Sequence, residues 1–426
     1  MADYGAFSFA DTQEVLDKAK EFWTPGKTQF WIDSGTPLVI DRREGYLLWD
    51  MSGKRLIDVH LNGGTYNVGH RNREVMAAVA EAMQRFDIGN HHFPSLARTA
   101  LAEALVSSAP DGLTKVIYAS GGGEAIDIAI KTARHATGKR KIVSIVKAYH
   151  GHTGLAVTVG DDRFAKLFLA DRPDEVTQVP FNDLAAMEEA LVDREVAAVI
   201  MESIPATYGF PLPEPGYLES VKRVCEQYGA LYIADEVQTG LMRTGELWCV
   251  TKHGFSPDLM VTGKGLSGGL YPIAAVLVSE ACAGWLTEDG FGHMSTFGGA
   301  ELGCIAAMKT LEICSRPETR SMVHYLAEAI RAGLEQIRAD HSDWFVGIRQ
   351  DGLVIGLEFE HPRGAMIVSR HLYEHGVWAI FSTLDPRVLQ FKPGLLLTPD
   401  LTEELLDRVA VAVARARDDR EARTAA

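Results

Sequence analysis

The chain has 426 residues, of which 46% are hydrophobic and 23% are charged. These values exclude a disordered or fibrous protein, and the length predicts a large domain with a smaller one attached. The net charge of −15 repels nucleic acid and anionic membrane surfaces, so we expect neither as a partner.

The predicted elements begin with a helix over 11–21 and short strands over 37–58. Helices follow over 73–86 and 95–109. Apolar strands that alternate with helices come next, at 115–119, 141–146, 197–202, 231–235, 259–262 and 273–279. After residue 317 the pattern predicts helices over 319–339, 365–375 and 402–417, and strand structure over 353–360.

This alternation predicts an α/β fold with a mostly parallel central sheet flanked by helices, whose ligands lie beyond the carboxyl ends of the strands. We predict three regions. Residues 1–58 form an N-terminal arm and part of the small lobe, 59–316 form the large α/β domain, and 317–426 form a smaller α+β domain.

One lysine is notable for its surroundings. Lys264 follows an apolar run and lies between two glycines, which let the backbone approach a ligand closely. The run is expected to desolvate the amine and lower its pKa, which favours a nucleophile able to form a Schiff base. Asp235 ends another apolar strand. It fits either a helix N-cap or a carboxylate that keeps the pyridine nitrogen of pyridoxal 5′-phosphate protonated.

Two further features bear on a cofactor. The triplet Gly121–Gly123 separates a predicted strand from a helix, which favours a phosphate cradle of backbone amides over a merely flexible turn. Tyr149 follows a strand end, where it either stacks on a planar ring or serves as a core tyrosine. The adjacent His150 and His152 have no acidic or cysteine partner at ligand spacing, so we expect no metal site.

Together these segments resemble the class III aminotransferases, which are pyridoxal-phosphate enzymes of fold type I. The resemblance covers nearly the whole chain and rests on DEVQTG (235–240), RTG (243–245), PD (257–258), GK (263–264) and GG (268–269). It implies that Lys264 forms the Schiff base and that Asp235 pairs with the pyridinium nitrogen.

The resemblance also implies the remaining cofactor contacts. They are Val237 on one ring face, Tyr149 on the other, Gln238 at the phenolic oxygen, and Gly122 and Gly123 at the phosphate. The segment MSTFGG (294–299) matches a family motif whose threonine reaches the phosphate of the neighbouring subunit. Thr296 is therefore implied to complete the partner's site in an obligate homodimer.

The sequence departs from the family pattern at the substrate positions. Relatives that use glutamate carry an arginine where this chain has Gln390, and Thr207 replaces the glutamate that neutralises it. Lys392 lies two residues from Gln390 and is a candidate point-charge substitute, although the sequence favours a surface lysine with its charge in water. Trp31, with Phe30 and Phe93, lies in segments that often line the family's substrate entrance.

We therefore predict a transaminase with a ping-pong mechanism through Lys264, in which an amine or ω-amino donor gives its amino group to a small 2-oxo acid such as pyruvate. An aminomutase, racemase or epimerase of the same fold is the alternative. A non-enzymatic binding module is disfavoured because Lys264, Asp235 and the glycine turn are all present. The sequence does not specify the donor, acceptor, stereochemistry, pathway or choice between dimer and tetramer.

The cysteines and the N-terminus bear on location. There are five cysteines, an odd number, and none has the spacing of a metal site or a disulfide framework. The first residues lack a basic and then apolar leader, and no apolar run approaches the roughly 18 residues of a spanning helix. These features predict a cytoplasmic protein with reduced cysteines.

Overall fold

The computed structural model describes residues 9–424. The helices in chain order are α1 (Thr12–Phe22), α2 (Pro25–Asp33), α3 (Leu61–Gly64), α4 (Arg73–Ala82), α5 (Leu96–Ser108), α6 (Gly122–Thr137), α7 (Ala156–Val159), α8 (Asp162–Lys166), α9 (Leu184–Glu189), α10 (Tyr217–Tyr228), α11 (Trp285–Glu288), α12 (Glu301–Ser315), α13 (Pro317–Asp340), α14 (Gly364–Glu374) and α15 (Pro399–Thr424). Short 3₁₀ helices cover Cys249–His253, Lys264–Ser267 and Glu280–Cys282.

The strands in chain order are β1 (Ile40–Glu44), β2 (Leu47–Asp50), β3 (Arg55–Asp58), β4 (Leu113–Ala119), β5 (Lys141–Ile145), β6 (Val176–Val179), β7 (Val196–Glu202), β8 (Leu231–Asp235), β9 (Leu259–Thr262), β10 (Ala274–Ser279), β11 (Phe345–Asp351), β12 (Val354–Phe359), β13 (Val377–Trp378), β14 (Ile380–Ser382) and β15 (Asp385–Phe391). They form three sheets.

The largest sheet has seven strands in the order β4-β10-β9-β8-β7-β5-β6. All run parallel except β10, which is antiparallel to both β4 and β9. Every residue of β7 is buried, because alternate side chains enter the cores on opposite faces: Val199 packs on one face and Ile200 on the other. The predicted α/β architecture with a mostly parallel sheet is confirmed.

Two four-stranded sheets complete the fold. One has the order β1-β2-β3-β13 and so joins N-terminal strands to a strand from the last quarter of the chain, and the other has the order β11-β12-β15-β14. The predicted elements did not include β6, β11, β13, β14 or β15. β13 and β14 span only two and three residues, too few for an alternation to be visible. The domain limits at 58 and 316 stay predictions.

The sheet register places the candidate residues at one edge. Glu202 and Asp235 are opposite each other at the carboxyl ends of β7 and β8, and Asp235 is opposite Val261 of β9. Lys264 follows β9 by two residues. The parallel strands therefore bring side chains that are far apart in sequence to one edge of the sheet.

Candidate active site

A cavity of about 200 Å³ lies at this edge of the large sheet. Its wall contains seven residues predicted from the sequence, namely Gly122, Gly123, Tyr149, Asp235, Val237, Gln238 and Lys264. It also contains three that the sequence did not single out as site residues, namely His150, Gly151 and Glu202.

Asp235 is held by two hydrogen bonds. Its Oδ2 lies 2.7 Å from His150 Nδ1, and its Oδ1 accepts a hydrogen bond from the Val237 amide at 3.1 Å. His150 Nε2 is buried without a partner among the described residues. His150 thus contacts a carboxylate, and no cluster of side chains that could hold a metal ion occurs among those that the structure describes.

Lys264 projects from the first residue of a 3₁₀ helix with φ of 39°, a left-handed conformation rare for a residue with a side chain. Burial lowers the pKa of its amine, while Asp235 and Glu202 oppose that shift. Gly63 leaves room for the lysine, since a Cβ at residue 63 would lie 2.9 Å from Lys264 Cε. The amine is therefore desolvated, as predicted, and its position depends on a glycine that the sequence did not flag.

The glycine turn lies at the amino end of α6. Gly121 is the N-cap and provides no side-chain hydrogen bond, so the first amides of the helix are not capped by that residue. A Cβ on Gly123 would lie 2.7 Å from Thr153 Oγ1, so only glycine fits without displacing the threonine. Free amides and the positive end of a helix dipole suit a phosphate.

Glu202 is an acidic residue of the cavity wall that the sequence analysis did not identify as a site residue. Its carboxylate accepts hydrogen bonds from the amides of Tyr149, at 3.1 Å, and Ala206, at 3.2 Å. Burial raises the pKa of Glu202 to about 7; the charge of His150 opposes the shift and that of Asp235 adds to it. The available signal was a carboxylate at the end of an apolar strand, the same signal that identified Asp235.

Tyr149 is half-buried in the cavity wall, and burial raises the pKa of its phenol. Its ring centroid lies 5.2 Å from that of His152 and 6.1 Å from that of Phe164. The ring therefore has aromatic neighbours and also borders the cavity, as an aromatic stacking residue requires.

Lys392 is not at the surface, and the preference for a surface lysine is wrong. The residue is 1% exposed, and its Nζ donates to Gln390 Oε1 at 2.5 Å and to Gln238 Oε1 at 3.3 Å. It lies one residue beyond β15, yet its side chain meets that of Gln390, as spacing by two residues predicted. Burial drives the pKa of Lys392 well below its usual value, and the positive charges of Arg243 and Lys264 lower it further.

Gln390 lies close to Thr207, because it forms a hydrogen bond with the preceding residue. Gln390 Nε2 donates to the carbonyl of Ala206, the residue before Thr207, at 3.4 Å. Thr207 is buried, and its hydroxyl donates to the carbonyl of Lys147 at 3.4 Å. The structure thus brings the two altered positions together, but neither lines the cavity itself.

Trp31 lies on α2 in an aromatic cluster. Its ring centroid is 5.1 Å from that of Phe30, 5.4 Å from Trp378 and 6.3 Å from Phe381. The cluster approaches buried His60, whose ring centroid is 6.5 Å from that of Trp378. Phe93 is outside this group and 67% exposed. Trp31 is not among the residues that line the cavity.

Thr296 is exposed and does not line the cavity of its own chain. Three exposed apolar side chains accompany it: Phe291 at 67%, Met294 at 57% and Phe297 at 57%. Within one chain, therefore, Thr296 takes no part in the cluster that contains the other predicted cofactor residues.

The cavity suits pyridoxal 5′-phosphate in three respects. It has a helix amino terminus for a phosphate, an aromatic ring and Val237 for a planar ring, and a carboxylate facing a buried amine. Within residues 9–424, no helix is both long and apolar enough to cross a bilayer.

Comparison with known proteins agrees with this geometry. The model of the aminotransferase class-III family matches residues 32–413. An uncharacterized aminotransferase of Archaeoglobus fulgidus is 41% identical over 408 residues, which cover 96% of each chain. The ornithine aminotransferase of Toxoplasma gondii ME49 superposes with a TM-score of 0.88 at 24% identity, with 97% of each chain covered.

A second crystal structure of the Toxoplasma gondii ornithine aminotransferase, with a TM-score of 0.84 and 25% identity, covers 97% of this chain and 100% of its own. It is described with partial occupancy of pyridoxal phosphate at the active site. The predictions of an enzyme and of its cofactor are confirmed. With the family match over most of its length and a cavity built for a phosphate, a planar ring and a reactive lysine, this chain belongs to the pyridoxal-phosphate-dependent class III aminotransferases.

Proposed function

We propose that the enzyme transfers an amino group from a primary amine or an ω-amino donor to a small 2-oxo acid such as pyruvate, by a ping-pong mechanism through Lys264. The observation that carries this proposal is the pair Gln390 and Thr207. Gln390 replaces an arginine that grips an α-carboxylate, and a glutamine amide cannot reproduce a bidentate guanidinium contact. The nitrogen and the oxygen of the Gln390 side-chain amide, moreover, already have partners: Nε2 donates to the Ala206 carbonyl, and Oε1 accepts from Lys392.

The proposed roles follow from the cavity wall. Gly122 and Gly123 hold the phosphate, Val237 and Tyr149 contact the two ring faces, and Asp235 faces the pyridine nitrogen. Gln238 binds the phenolic oxygen. The bound cofactor supplies an electron sink for the bond that breaks.

Lys264 Nζ is proposed to carry the proton between the substrate carbon and the cofactor. Its lowered pKa favours this role, because a general base must be deprotonated near the working pH. His150 keeps Asp235 in place through the 2.7 Å contact at its Nδ1. In this proposal His150 positions Asp235, Asp235 faces the pyridine nitrogen, and Lys264 moves the proton.

The donor preference has a second support in the aromatic cluster around Trp31. Its rings, with Trp378 and Phe381, offer an apolar surface near His60, and burial drives the pKa of His60 well below its usual value. A neutral imidazole and aromatic rings suit the carbon skeleton of an amine. The name of ornithine aminotransferase also denotes an enzyme for a substrate with an ω-amino group.

We further propose a homodimer in which Thr296 of each chain contacts the phosphate bound in the other. The apolar side chains beside it, Phe291, Met294 and Phe297, are all more than half exposed. A cluster of exposed large apolar residues marks an interaction surface, and a second copy of the chain would cover it.

The test is a single-turnover donor screen of the purified holoenzyme. A simple amine, an ω-amino acid, a β-amino acid, a diamine and glutamate are each mixed with it, and conversion of the bound cofactor to its amine form is followed by absorbance. We expect the simple amine or ω-amino acid to react at least about 10-fold faster than glutamate. Fast reaction with glutamate would overturn the donor proposal.

The same screen decides between transfer and isomerisation. A transaminase leaves the cofactor in its amine form until an oxo acid is added, and pyruvate then restores the original spectrum. A racemase, epimerase or aminomutase returns the spectrum without added oxo acid. Product formation with no accumulation of the amine form, for every donor, would favour isomerisation.

A further inference from the structure

Lys392 carries a buried amine with no contacting carboxylate among the side chains that the structure describes. It is 1% exposed, and its two hydrogen bonds go to uncharged amide oxygens, those of Gln390 and Gln238. A charged ammonium without a partner costs several kcal/mol at this depth, and burial accordingly lowers the pKa of Lys392. A buried basic group beside a cavity is a candidate for ligand binding.

The nearby carboxylates are held by other groups. Asp58 lies 2.8 Å from His70 Nε2 and accepts hydrogen bonds from the amides of His60, at 2.9 Å, and Leu61, at 2.7 Å. Glu202 accepts its hydrogen bonds from two backbone amides. Both carboxylates therefore act on Lys392 only through space.

The other cations near Lys392 have different tasks. Arg243 donates to the carbonyls of Pro393, at 2.6 Å, and Leu353, at 2.8 Å, which fixes its guanidinium in the core. Lys264 is the amine proposed to react. Lys392 has neither of these tasks.

Lys392 lies behind the cavity wall and does not line the cavity itself. Its Nζ is 3.3 Å from Oε1 of Gln238, which lines the cavity beside Lys264. The amine of Lys392 donates to the two glutamine oxygens and lies 5.6 Å from the centroid of the Phe210 ring. A carboxylate bound beside it would favour the protonated form, which has a third N–H to donate.

We propose that Lys392 binds the carboxylate of the oxo-acid acceptor and so replaces the missing arginine by a point charge from a neighbouring position. The inference rests on the proposed function, in which the acceptor is a small 2-oxo acid. The carboxylate would supply the counter-ion that Lys392 lacks. A single ammonium gives less geometric specificity than a guanidinium fork, which suits a small acceptor.

The experiment removes the charge from the enzyme and the carboxylate from the acceptor independently. The holoenzyme in its amine form is reacted with pyruvate or with acetaldehyde, which has the reacting carbonyl but no carboxylate. Lys392→Met removes charge and donor, whereas Lys392→Gln removes the charge but keeps an N–H for Gln238. Lys115→Met serves as the control, because Lys115 is an exposed residue paired with Glu280 at the surface.

For both Lys392 variants, we expect kcat/KM to fall at least about 50-fold with pyruvate and less than about 3-fold with acetaldehyde. The control should change neither value. Equal losses for the two acceptors would overturn the inference, as would a Lys392→Gln enzyme that keeps its pyruvate activity, since Lys392 would then only position Gln238. A wild-type enzyme that accepts acetaldehyde but neither pyruvate nor another 2-oxo acid would overturn the proposed function as well.

Discussion

Gly63 offers a sharp test of how the fold positions the reactive lysine. Gly63 has φ of 72° and ψ of 19°, and a Cβ there would lie 2.9 Å from Lys264 Cε. Carbon atoms in contact are ordinarily separated by about 3.5 Å or more, so Gly63→Ala would push the lysine by roughly 0.6 Å. The contacted atom belongs to a flexible side chain, and we expect the lysine to move rather than the backbone.

A matched control exists elsewhere in the chain. Gly254 has φ of 71° and ψ of 19°, but a Cβ there would meet nothing within 4 Å. Alanine in this left-handed conformation costs about 1–2 kcal/mol at either position. The two substitutions thus share their backbone strain and differ in the contact with Lys264.

The assay compares turnover and the thermal midpoint of the cofactor-free protein. We expect both variants to lose a similar few degrees of thermal midpoint. Turnover should fall at least about 10-fold for Gly63→Ala, because misplacement of a reacting group by about 1 Å costs roughly 100-fold. It should stay near wild type for Gly254→Ala. Equal turnover in the two variants would refute the reasoning, and a much larger loss of stability in Gly63→Ala would show that the backbone had moved instead.

Four other substitutions test the site. Lys264→Ala should abolish the visible band of the lysine-bound cofactor and lower turnover more than about 1000-fold. Thr296→Ala should weaken cofactor binding about 10-fold. At limiting cofactor, mixing it with Lys264→Ala subunits should give activity above either parent, because one site of the mixed dimer has both residues. For Glu202→Gln, thermal midpoints of cofactor-free protein should decline less from pH 5 to pH 8 than in wild type. The pKa of Glu202 is raised to about 7, so the folded protein retains a proton that the unfolded chain releases, and wild type loses stability over this range. For Lys392→Met, the thermal midpoint should rise less with pH than in wild type below the ordinary pKa of lysine, because burial lowers the pKa of Lys392 and the unfolded chain binds a proton that the folded protein does not.

Much of the site is predictable because parallel strands collect their carboxyl ends at one edge. Asp235 and Lys264 each follow a short apolar run, and the register of β7, β8 and β9 then makes them neighbours. The glycine turn before α6 carries its own local signal. Each of these residues can be identified from the sequence of its own segment.

Residues whose role depends on packing between segments were not predictable. Gly63 matters because of its distance from Lys264, about 200 positions later, and nothing around residue 63 indicates that contact. The burial of Lys392 likewise arises from β12 and β14, which flank β15, and from the loop that holds Gln238. The sequence pattern of a lysine after an apolar strand is the same whether its side chain faces water or a cavity.

The exchange of an arginine and glutamate pair for Gln390 and Thr207 has a consequence for a ping-pong enzyme, which must accept two different substrates in one pocket. An arginine that binds one substrate's carboxylate needs a movable glutamate as its partner when the other substrate has none. Here the proposed anion-binding group, Lys392, rests against the amide oxygens of Gln390 and Gln238. A donor without a carboxylate then leaves these hydrogen bonds intact, and an oxo acid adds its carboxylate without breaking an ion pair. The same pocket can thus alternate between an uncharged donor side chain and a charged acceptor with no switch residue to move.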